Sequence, residues 1–223
     1  MKRELIKTQD GSMTIFIPEM DETYHSTHGA IQEAEHVFIK HGLRKMEEKG
    51  LETIFIFEMG FGTGLNAFLT KIRSNSIVNY TGIEAFPVSE NELISLNYVG
   101  QLGEEFKVDF DLIHSTSWKE TVQLSSQFFI KKVHQKIEEY KLEKDKYDII
   151  YFDAFGPRAQ SEMWDIEILK NMYDGLMDGG MLVTYCAKGQ FKRDLKSLGF
   201  EVESLPGPPG KREMTRAWKR AES

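Results

Sequence analysis

The chain has 223 residues, which is enough for one sizeable hydrophobic core and short for two independent ones. Its composition, with 40% hydrophobic and 28% charged residues, excludes a disordered or fibrous protein, and its net charge of −7 excludes a surface that is basic throughout. The single cysteine, Cys186, excludes an intramolecular disulfide framework, and the apolar runs are too short for a membrane helix, so we expect a cytoplasmic protein.

The first half of the chain predicts a hairpin, a long helix and then strands that alternate with helices. Runs rich in β-formers on either side of Asp10-Gly11 predict an N-terminal hairpin. A helical period over 30–48, followed by Gly50, predicts the long helix. The apolar run 53–58 is typical of a strand buried on both faces. The elements predicted next are a glycine turn at 60–64, a helix over 65–73, a strand over 78–85, a helix over 89–98 and an irregular stretch with some helix over 100–127.

The second half continues the alternation. It predicts strands over 128–133, 147–153 and 181–187, helices over 135–144, 162–176 and 190–198, and a closing antiparallel pair at 200–205 and 213–219. Buried strands that alternate with helices indicate an α/β fold with a mostly parallel sheet covered by helices on both faces. We expect one compact unit, made of an N-terminal hairpin and helix extension at 1–50 and a main domain at 51–223.

The motif EMGFGTGLN at 58–66 follows the first buried strand and carries three alternating glycines. Glycines let the backbone turn sharply and let a ligand approach without meeting a Cβ, and the next helix offers free N–H groups at its start. Twenty residues after Gly64, Glu84 ends the second strand. A carboxylate at that place accepts hydrogen bonds from both hydroxyls of an adenosine ribose.

Two kinds of cofactor use this layout. The dinucleotide fingerprint requires glycine or alanine where Leu65 stands. Alternating glycines preceded by an acid are instead the pattern of enzymes that bind S-adenosyl-L-methionine (SAM), and Glu58 would suit a cationic sulfonium but repel a pyrophosphate. We therefore predict SAM, with an NAD oxidoreductase as the least favoured enzyme and a purely structural turn as the other alternative. The predicted cofactor-binding residues are Glu58, Gly60, Phe61, Gly62, Thr63, Gly64, Asn66 and Glu84.

Asp153 ends the fourth buried strand and opens the loop DAFGPRAQS. Ligands of open α/β sheets lie beyond the carboxyl ends of the strands, so Asp153 is expected in the same crevice as the glycine turn. Its carboxylate would position an amine nucleophile and accept its proton, which makes Asp153 the predicted catalytic residue. Phe155 and Pro157 would wall the pocket and stack on a flat substrate ring. The structural alternative is that Asp153 caps the loop or the following helix.

No metal site is predicted. His36 and His41 are five residues apart, which does not match the i, i+4 spacing for joint ligation on an α-helix. Cys186, in a predicted strand, is more typical of a small core residue than of a nucleophile.

Several segments together resemble the methyltransferase domain of the bifunctional tRNA 5-methylaminomethyl-2-thiouridine biosynthesis protein family, and most closely its stand-alone versions without a flavin-dependent oxidase domain. The resemblance runs from about residue 10 to 218, with gaps around 100–127. It rests on ETYHSTHGAIQEAEHVFI (22–39), EMGFGTGLNAFL (58–69), GIEAFP (82–87), YFDAFGP (151–157) with Met163-Trp164 after it, and GPPGKREM (207–214).

This resemblance implies a Rossmann-like class I SAM-dependent methyltransferase fold with a mostly parallel seven-stranded sheet. It implies N-methylation of 5-aminomethyl-2-thiouridine at the tRNA wobble position, with Asp153 at the methyl-transfer centre and the glycine turn and Glu84 at the cofactor. The family often carries an acid near the adenine after the third core strand, where this chain has KKVH at 131–134, so no adenine-binding residue is assigned.

The resemblance also implies tRNA as partner and a separate enzyme that supplies the aminomethyl group. Between residues 187 and 220, nine basic residues stand against four acidic ones, and this imbalance is either a polyanion footprint or a set of solvated charges. Lys211, Arg212 and Arg216 are the predicted phosphate contacts.

Two further readings stay open. The same fold and cofactor would serve a methyl- or aminopropyltransferase that acts on a small-molecule or protein amine. In a different class, the chain would be a non-catalytic SAM-binding partner of a tRNA-modification complex.

Overall fold

The N-terminal segment forms a small antiparallel sheet and a long helix, in a computed structural model that describes residues 2–220. The sheet consists of β1 (Glu4–Lys7), β2 (Met13–Ile17) and β3 (Glu22–Thr23), which confirms the predicted hairpin. The helix is continuous through 30–47, as α1 (Ala30–Ala34), a π-helical stretch (Glu35–Leu43) and α2 (Arg44–Glu47). The π-helical hydrogen bonding in its middle was not predicted.

The main sheet follows in the predicted alternation. Its strands are β4 (Thr53–Met59), β5 (Ile77–Glu84), β6 (Thr121–Ser125), β7 (Phe128–His134), β8 (Tyr147–Phe152), β9 (Leu176–Thr184), β10 (Phe200–Pro206) and β11 (Glu213–Lys219). The helices are α3 (Leu65–Arg73), α4 (Glu90–Ile94), α5 (Tyr98–Leu102), α6 (Lys107–Ser115), α7 (Ile166–Gly175) and α8 (Gly189–Ser197). Single 3-10 turns occupy Glu104–Phe106, Ile137–Glu139 and Ser161–Trp164.

The strand order of the main sheet is β10-β11-β9-β8-β4-β5-β7-β6. The five central strands, from β9 to β7, are parallel, whereas β11, β10 and β6 join in antiparallel pairs. The sheet therefore has eight strands rather than seven, because β6 adds to the edge beside β7. The chain reverses its direction of travel across the sheet between β4 and β8, and such a switch point opens a crevice at the carboxyl ends of the strands.

Two hydrophobic clusters cover the two faces of the sheet. Alternate residues of β4 point to opposite faces, so Ile54 and Ile56 join one cluster and Phe57 joins the other. The first cluster is covered by the helix over 30–47, α3 and α6, and the second by α7 and α8. The long helix approaches the sheet closely at Gly42, where a Cβ would lie 3.1 Å from the Tyr151 ring.

Four predicted elements differ from the structure. The predicted helix over 89–98 is two short helices, because the side chain of Asn97 turns to the hairpin, accepting from Met13 N at 2.7 Å and donating to Gly11 O at 2.9 Å. The predicted helix over 135–144 is a single 3-10 turn. The helix predicted over 162–176 ends at Gly175 and begins with a 3-10 turn. The strand predicted over 181–187 is β9, which starts and ends earlier, at Leu176 and Thr184.

The division of the chain at residue 50 stays a prediction. Its outer ends, Met1 and 221–223, lie outside the described residues.

Candidate active site

A cavity of about 350 Å³ opens at the carboxyl ends of β4, β5, β7 and β8. Its walls come from the glycine turn, the end of β5, residues 135–138, the loop after β8, and two residues of the N-terminal extension, Tyr24 and His25. Of the predicted site residues, those on the wall are Gly60, Phe61, Gly62, Asn66, Glu84, Asp153 and Phe155. The switch point of the sheet therefore holds a pocket at the position that was predicted from the sequence.

The glycine turn runs directly against the loop after β8. Gly60 has a φ of 90°, and a Cβ on it would lie 2.4 Å from the backbone oxygen of Asp153. The N–H groups of Gly60 and Phe61 both donate to Ile83 O, at 3.2 and 3.0 Å. Only glycine fits at residue 60, because a side chain would push the two loops apart.

Glu84 fixes the turn from the neighbouring strand. Its Oε2 accepts from Gly62 N at 2.9 Å and its Oε1 accepts from Phe86 N at 2.9 Å. Each carboxylate oxygen has a second lone pair, so the predicted contact with a ribose hydroxyl remains available at both oxygens.

Asn66 connects two carboxyl groups at the floor of the cavity. Its Nδ2 donates to Glu58 Oε1 at 2.9 Å and to Asp153 Oδ2 at 2.8 Å. Glu58 is fully buried behind Asn66 and does not line the cavity, so its predicted effect on the ligand would pass through the Asn66 amide. Burial raises the pKa of Glu58 well above its ordinary value.

One acceptor atom in this cluster, Asn66 Oδ1, lacks a partner. It is buried and accepts no hydrogen bond from residues 2–220, whereas the buried Glu58 carboxyl group has the Tyr80 hydroxyl beside it. A buried acceptor without a donor is costly, and a ligand with an ammonium group supplies a donor to Asn66, which lines the cavity. The cluster thus fits SAM, whose amino-acid end would lie beside Asn66.

Asp153 presents a carboxyl group with a raised pKa on the cavity wall. Burial and, to a smaller extent, the nearby carboxylate of Glu33 raise this pKa to about 7, against the hydrogen bond from Asn66 and the charge of Lys211. A carboxyl group with that pKa exchanges a proton readily at neutral pH. Its side chain accepts a hydrogen bond from Asn66, and the N-cap position of α7 is occupied by Asp165, so Asp153 does not cap that helix.

Besides Glu58, two of the predicted cofactor residues lie behind the wall rather than on it. Thr63 is buried and accepts a hydrogen bond from the Tyr98 hydroxyl at 3.2 Å, which ties the turn to α5. Gly64, with a φ of 71°, is the N-cap of α3. Both shape the turn from outside the cavity.

A second cavity, of about 610 Å³, adjoins the first and shares Tyr24, His25 and Phe155 with it. The rings of Tyr24 and Phe155 meet edge to face at 5.1 Å between the two cavities. Of the predicted substrate residues, Phe155, Pro157, Lys211 and Arg212 line the second cavity.

Arg216 lies elsewhere, which corrects its predicted role. It is buried in β11, where its Nε donates to Glu203 Oε2 at 2.6 Å and its Nη1 to His41 O at 3.4 Å. These contacts hold the β10–β11 pair against the long helix, so its guanidinium is committed to the fold rather than to a phosphate.

The sequence did not indicate several wall residues. Tyr24, His25 and Glu33 belong to the extension, inside the segment 22–39 that carried part of the resemblance, but nothing local marks them as site residues. Residues 135–138 line the cavity and directly follow 131–134, the segment in which relatives often carry an acidic residue near the adenine. In that stretch, Lys132 is buried and donates to His114 O at 2.8 Å.

The described part of the chain offers neither a metal-binding cluster nor a membrane-spanning helix. Residues 2–220 contain no cluster of three or more His, Cys, Asp or Glu side chains that could hold a metal ion. None of their helices combines the length and the apolar character needed to cross a membrane.

Known proteins resemble the chain in sequence. A family described as S-adenosyl-L-methionine-dependent methyltransferase matches residues 101–220. The tRNA 5-methylaminomethyl-2-thiouridine biosynthesis bifunctional protein MnmC of Cupriavidus metallidurans is 29% identical over 96% of the chain and 33% of its own length. Its namesake from Leptospira interrogans is 28% identical over 93% of the chain and 34% of its own length. The chain thus spans about one third of these relatives.

Solved structures resemble it in fold. MnmC2 from Aquifex aeolicus superposes with a TM-score of 0.79 at 24% identity, covering 99% of this chain and 71% of its own. Spermidine synthase from Thermotoga maritima superposes with a TM-score of 0.56 at 13% identity, covering 100% and 73%.

Proposed function

Because the chain belongs to the family of S-adenosyl-L-methionine-dependent methyltransferases, we propose that it methylates the primary amine of 5-aminomethyl-2-thiouridine at the tRNA wobble position. The family confirms the predicted enzyme class, cofactor and class I fold. The acceptor is suggested by the names of the MnmC relatives, which specify 5-methylaminomethyl-2-thiouridine in tRNA. Those relatives are about three times as long as the matched region, so the acceptor is part of the proposal.

The position of Asp153 carries this proposal. Its carboxyl group lies on the wall of the first cavity beside Asn66, and Phe155, two residues on, opens into the second. An acceptor that enters from the second cavity passes Tyr24 and Phe155 and meets a proton acceptor at the boundary. The first cavity is thus the cofactor side of the site, and the second cavity is the acceptor side.

The residues present account for the main requirements of N-methylation. SAM supplies an electrophilic methyl group on a sulfonium centre. The glycine turn, Asn66 and Glu84 would hold it on the cofactor side. An alkylamine is protonated near neutral pH and must lose a proton to become nucleophilic, and Asp153, with a pKa of about 7, is suited to accept that proton. Holding amine and donor in line supplies much of the remaining rate.

The rim of the second cavity suits a polyanion. Arg158, Lys188 and Arg212 are exposed there and would meet phosphates, while the base is extruded into the pocket between Tyr24 and Phe155. Of the predicted phosphate contacts Lys211, Arg212 and Arg216, Arg212 thus keeps this role, and Arg158 and Lys188 are added to it. The proposal also requires a separate enzyme that installs the aminomethyl group.

Labelled-methyl transfer tests the proposal. The purified chain is incubated with labelled SAM and tRNA that carries 5-aminomethyl-2-thiouridine, and the nucleosides are analysed by mass spectrometry. We expect one added methyl group on the wobble nucleoside and none on matched tRNA without the aminomethyl group. Intact SAM binding without transfer to the amine would reject this acceptor and favour a small-molecule or protein amine, or a non-catalytic role.

A further inference from the structure

The ammonium group of Lys211 lies in the second cavity between a carboxylate and an aromatic ring. Its Nζ forms an ion pair with Glu33 Oε2 and lies 3.8 Å from the centroid of the Tyr185 ring. A carboxylate on one side and an aromatic face on the other is an arrangement that binds alkylammonium groups well when water is excluded.

Glu33 is held in place by the extension. Its side chain is only 6% exposed, and its Oε1 accepts from Ser26 N at 2.9 Å. A buried carboxylate needs a cation beside it, because an unpaired buried charge is strongly destabilising. Whatever group leaves this site must therefore be replaced by another cation.

The site faces Asp153. Tyr185 follows β9, and its hydroxyl donates to Ala154 O at 2.8 Å, next to Asp153 in the chain. The charges of Glu33 and Lys211 both act on the Asp153 carboxyl group, in opposite directions. An ammonium group at the position of Lys211 Nζ is thus on the Asp153 side of the acceptor cavity.

We propose that Glu33 and Tyr185 form the binding site for the aminomethyl group of the acceptor, and that Lys211 fills this site until the acceptor displaces it. The proposal rests on the proposed function, because it takes a primary amine as the acceptor. The end of the Lys211 side chain, CH2–NH3+, is the same chemical group as a protonated aminomethyl substituent. The exchange keeps Glu33 paired throughout.

The carboxylate of Glu33 gives the pocket its selectivity, and Lys211 competes for it. A uridine without an aminomethyl group brings no cation, so it leaves Lys211 on Glu33 and gains nothing from the site. An aminomethyl uridine takes over the carboxylate and releases Lys211 beside the exposed Arg212, where its charge reaches the phosphates of the same RNA.

The loop over 206–213 does not depend on the Glu33–Lys211 pair for its attachment. His36 Nε2 donates a hydrogen bond to Pro206 O at 2.8 Å, and Lys192 Nζ donates one to Glu213 Oε2 at 2.9 Å. These two contacts anchor both ends of the loop, so the central ion pair is free for exchange.

Paired RNA ligands test the exchange. Two anticodon stem-loops that differ only in the aminomethyl group at the wobble uridine are titrated into the full chain saturated with S-adenosylhomocysteine, and the ratio of their dissociation constants is compared among variants. For the wild type we expect the aminomethyl RNA to bind about tenfold more tightly, as for a charge-assisted hydrogen bond. Glu33→Gln should bring the ratio close to one, whereas Lys211→Met should raise it above the wild-type value, because the competing cation is gone.

Lys192→Met is the matched control, since it removes another ion pair of the same loop, and it should keep the wild-type ratio. S-adenosylhomocysteine binding by each variant reports its folding. A wild-type ratio in Glu33→Gln, or a ratio near one in Lys211→Met, would overturn the exchange. Failure of the wild type to methylate the aminomethyl RNA would instead overturn the proposed function, whatever the ratios.

Discussion

At the scale of single residues, Asp153 is the side chain on which the proposed chemistry depends most. Asp153→Asn keeps the size of the side chain but removes the proton acceptor, so we expect methyl transfer in a single turnover to fall by about 100-fold or more. SAM affinity, measured by calorimetry, should change little, because the glycine turn and Glu84 are unaltered. A variant that transfers methyl groups at near the wild-type rate would remove Asp153 from the mechanism.

The pKa of Asp153, about 7, predicts the pH dependence of the same step. Below that pH the carboxyl group is protonated and cannot accept a proton, so the single-turnover rate should rise between about pH 6 and pH 8. Five other charged or titratable groups act on or face this carboxyl: Glu33, Glu58, Tyr80, Tyr185 and Lys211.

Two substitutions separate this ionisation from that of the amine. Glu33→Gln removes a negative charge and should move the rise to lower pH, whereas Lys211→Met removes a positive charge and should move it to higher pH. A rise that stays at the same pH in both variants would assign it to another group.

At the scale of elements, the glycine turn illustrates what a local motif can predict. Gly60→Ala would place a Cβ 2.4 Å from Asp153 O, at a backbone conformation that disfavours a side chain. We expect SAM affinity to weaken by about tenfold or more, since the turn and the Asp153 loop must separate. Gly50→Ala is the control: its φ of 74° gives similar strain, about 1–2 kcal/mol, but its Cβ would have no neighbour within 4 Å. Equal losses of SAM affinity in both variants would contradict the prediction.

The elements that the sequence predicted well are those with a local signal. The strand β4, the helix α3 and the closing pair β10–β11 follow from apolar runs and glycine stops. The break before α5 could not be predicted, because it depends on the hydrogen bonds of Asn97 to a hairpin more than 80 residues away.

The long helix shows a second limit. Over Glu35–Leu43 its hydrogen bonds are π-helical, so residues five apart are neighbours on its surface. The rings of His36 and His41 consequently lie 4.8 Å apart, although their spacing argued against proximity on an α-helix. The candidate site has the same limit: the turn, Glu84 and Asp153 carry local motifs, whereas Tyr24 and Glu33 reach the cavities through tertiary packing.

The β10–β11 hairpin carries two arginines for which we expect different roles. Arg216→Met should destabilise the protein by about 1–3 kcal/mol, because Glu203 loses its charged partner and keeps only the Trp218 indole, and should leave the salt dependence of tRNA binding unchanged. Arg212→Met should leave stability unchanged and reduce the slope of log affinity against log salt by about one. Urea unfolding and binding titrations at several salt concentrations measure the two effects, and a slope reduced by Arg216→Met would restore its phosphate role.

At the scale of the whole molecule, the extension and the sheet enclose the two cavities together. The extension contributes Tyr24 and His25 to both cavities, and its helix packs Val37, Phe38 and Leu43 into the core on one face of the sheet. The boundary at residue 50 therefore divides the sequence but not the core. An acceptor pocket built from both parts requires that they fold as one unit.

This predicts one cooperative unfolding transition for the whole chain. Phe38 is 1% exposed and its ring lies 5.1 Å from that of Tyr151, so Phe38→Ala should lower the free energy of unfolding by about 3–5 kcal/mol. All three tryptophans lie after residue 50, and Trp164 belongs to the cluster on the opposite face of the sheet. If the chain is one unit, Phe38→Ala shifts the tryptophan fluorescence transition in urea as far as the transition in far-UV circular dichroism. Ile94→Ala, at a residue that is 82% exposed, is the control and should shift neither. A fluorescence transition that stays in place while the helical signal is lost earlier would show that the extension unfolds separately.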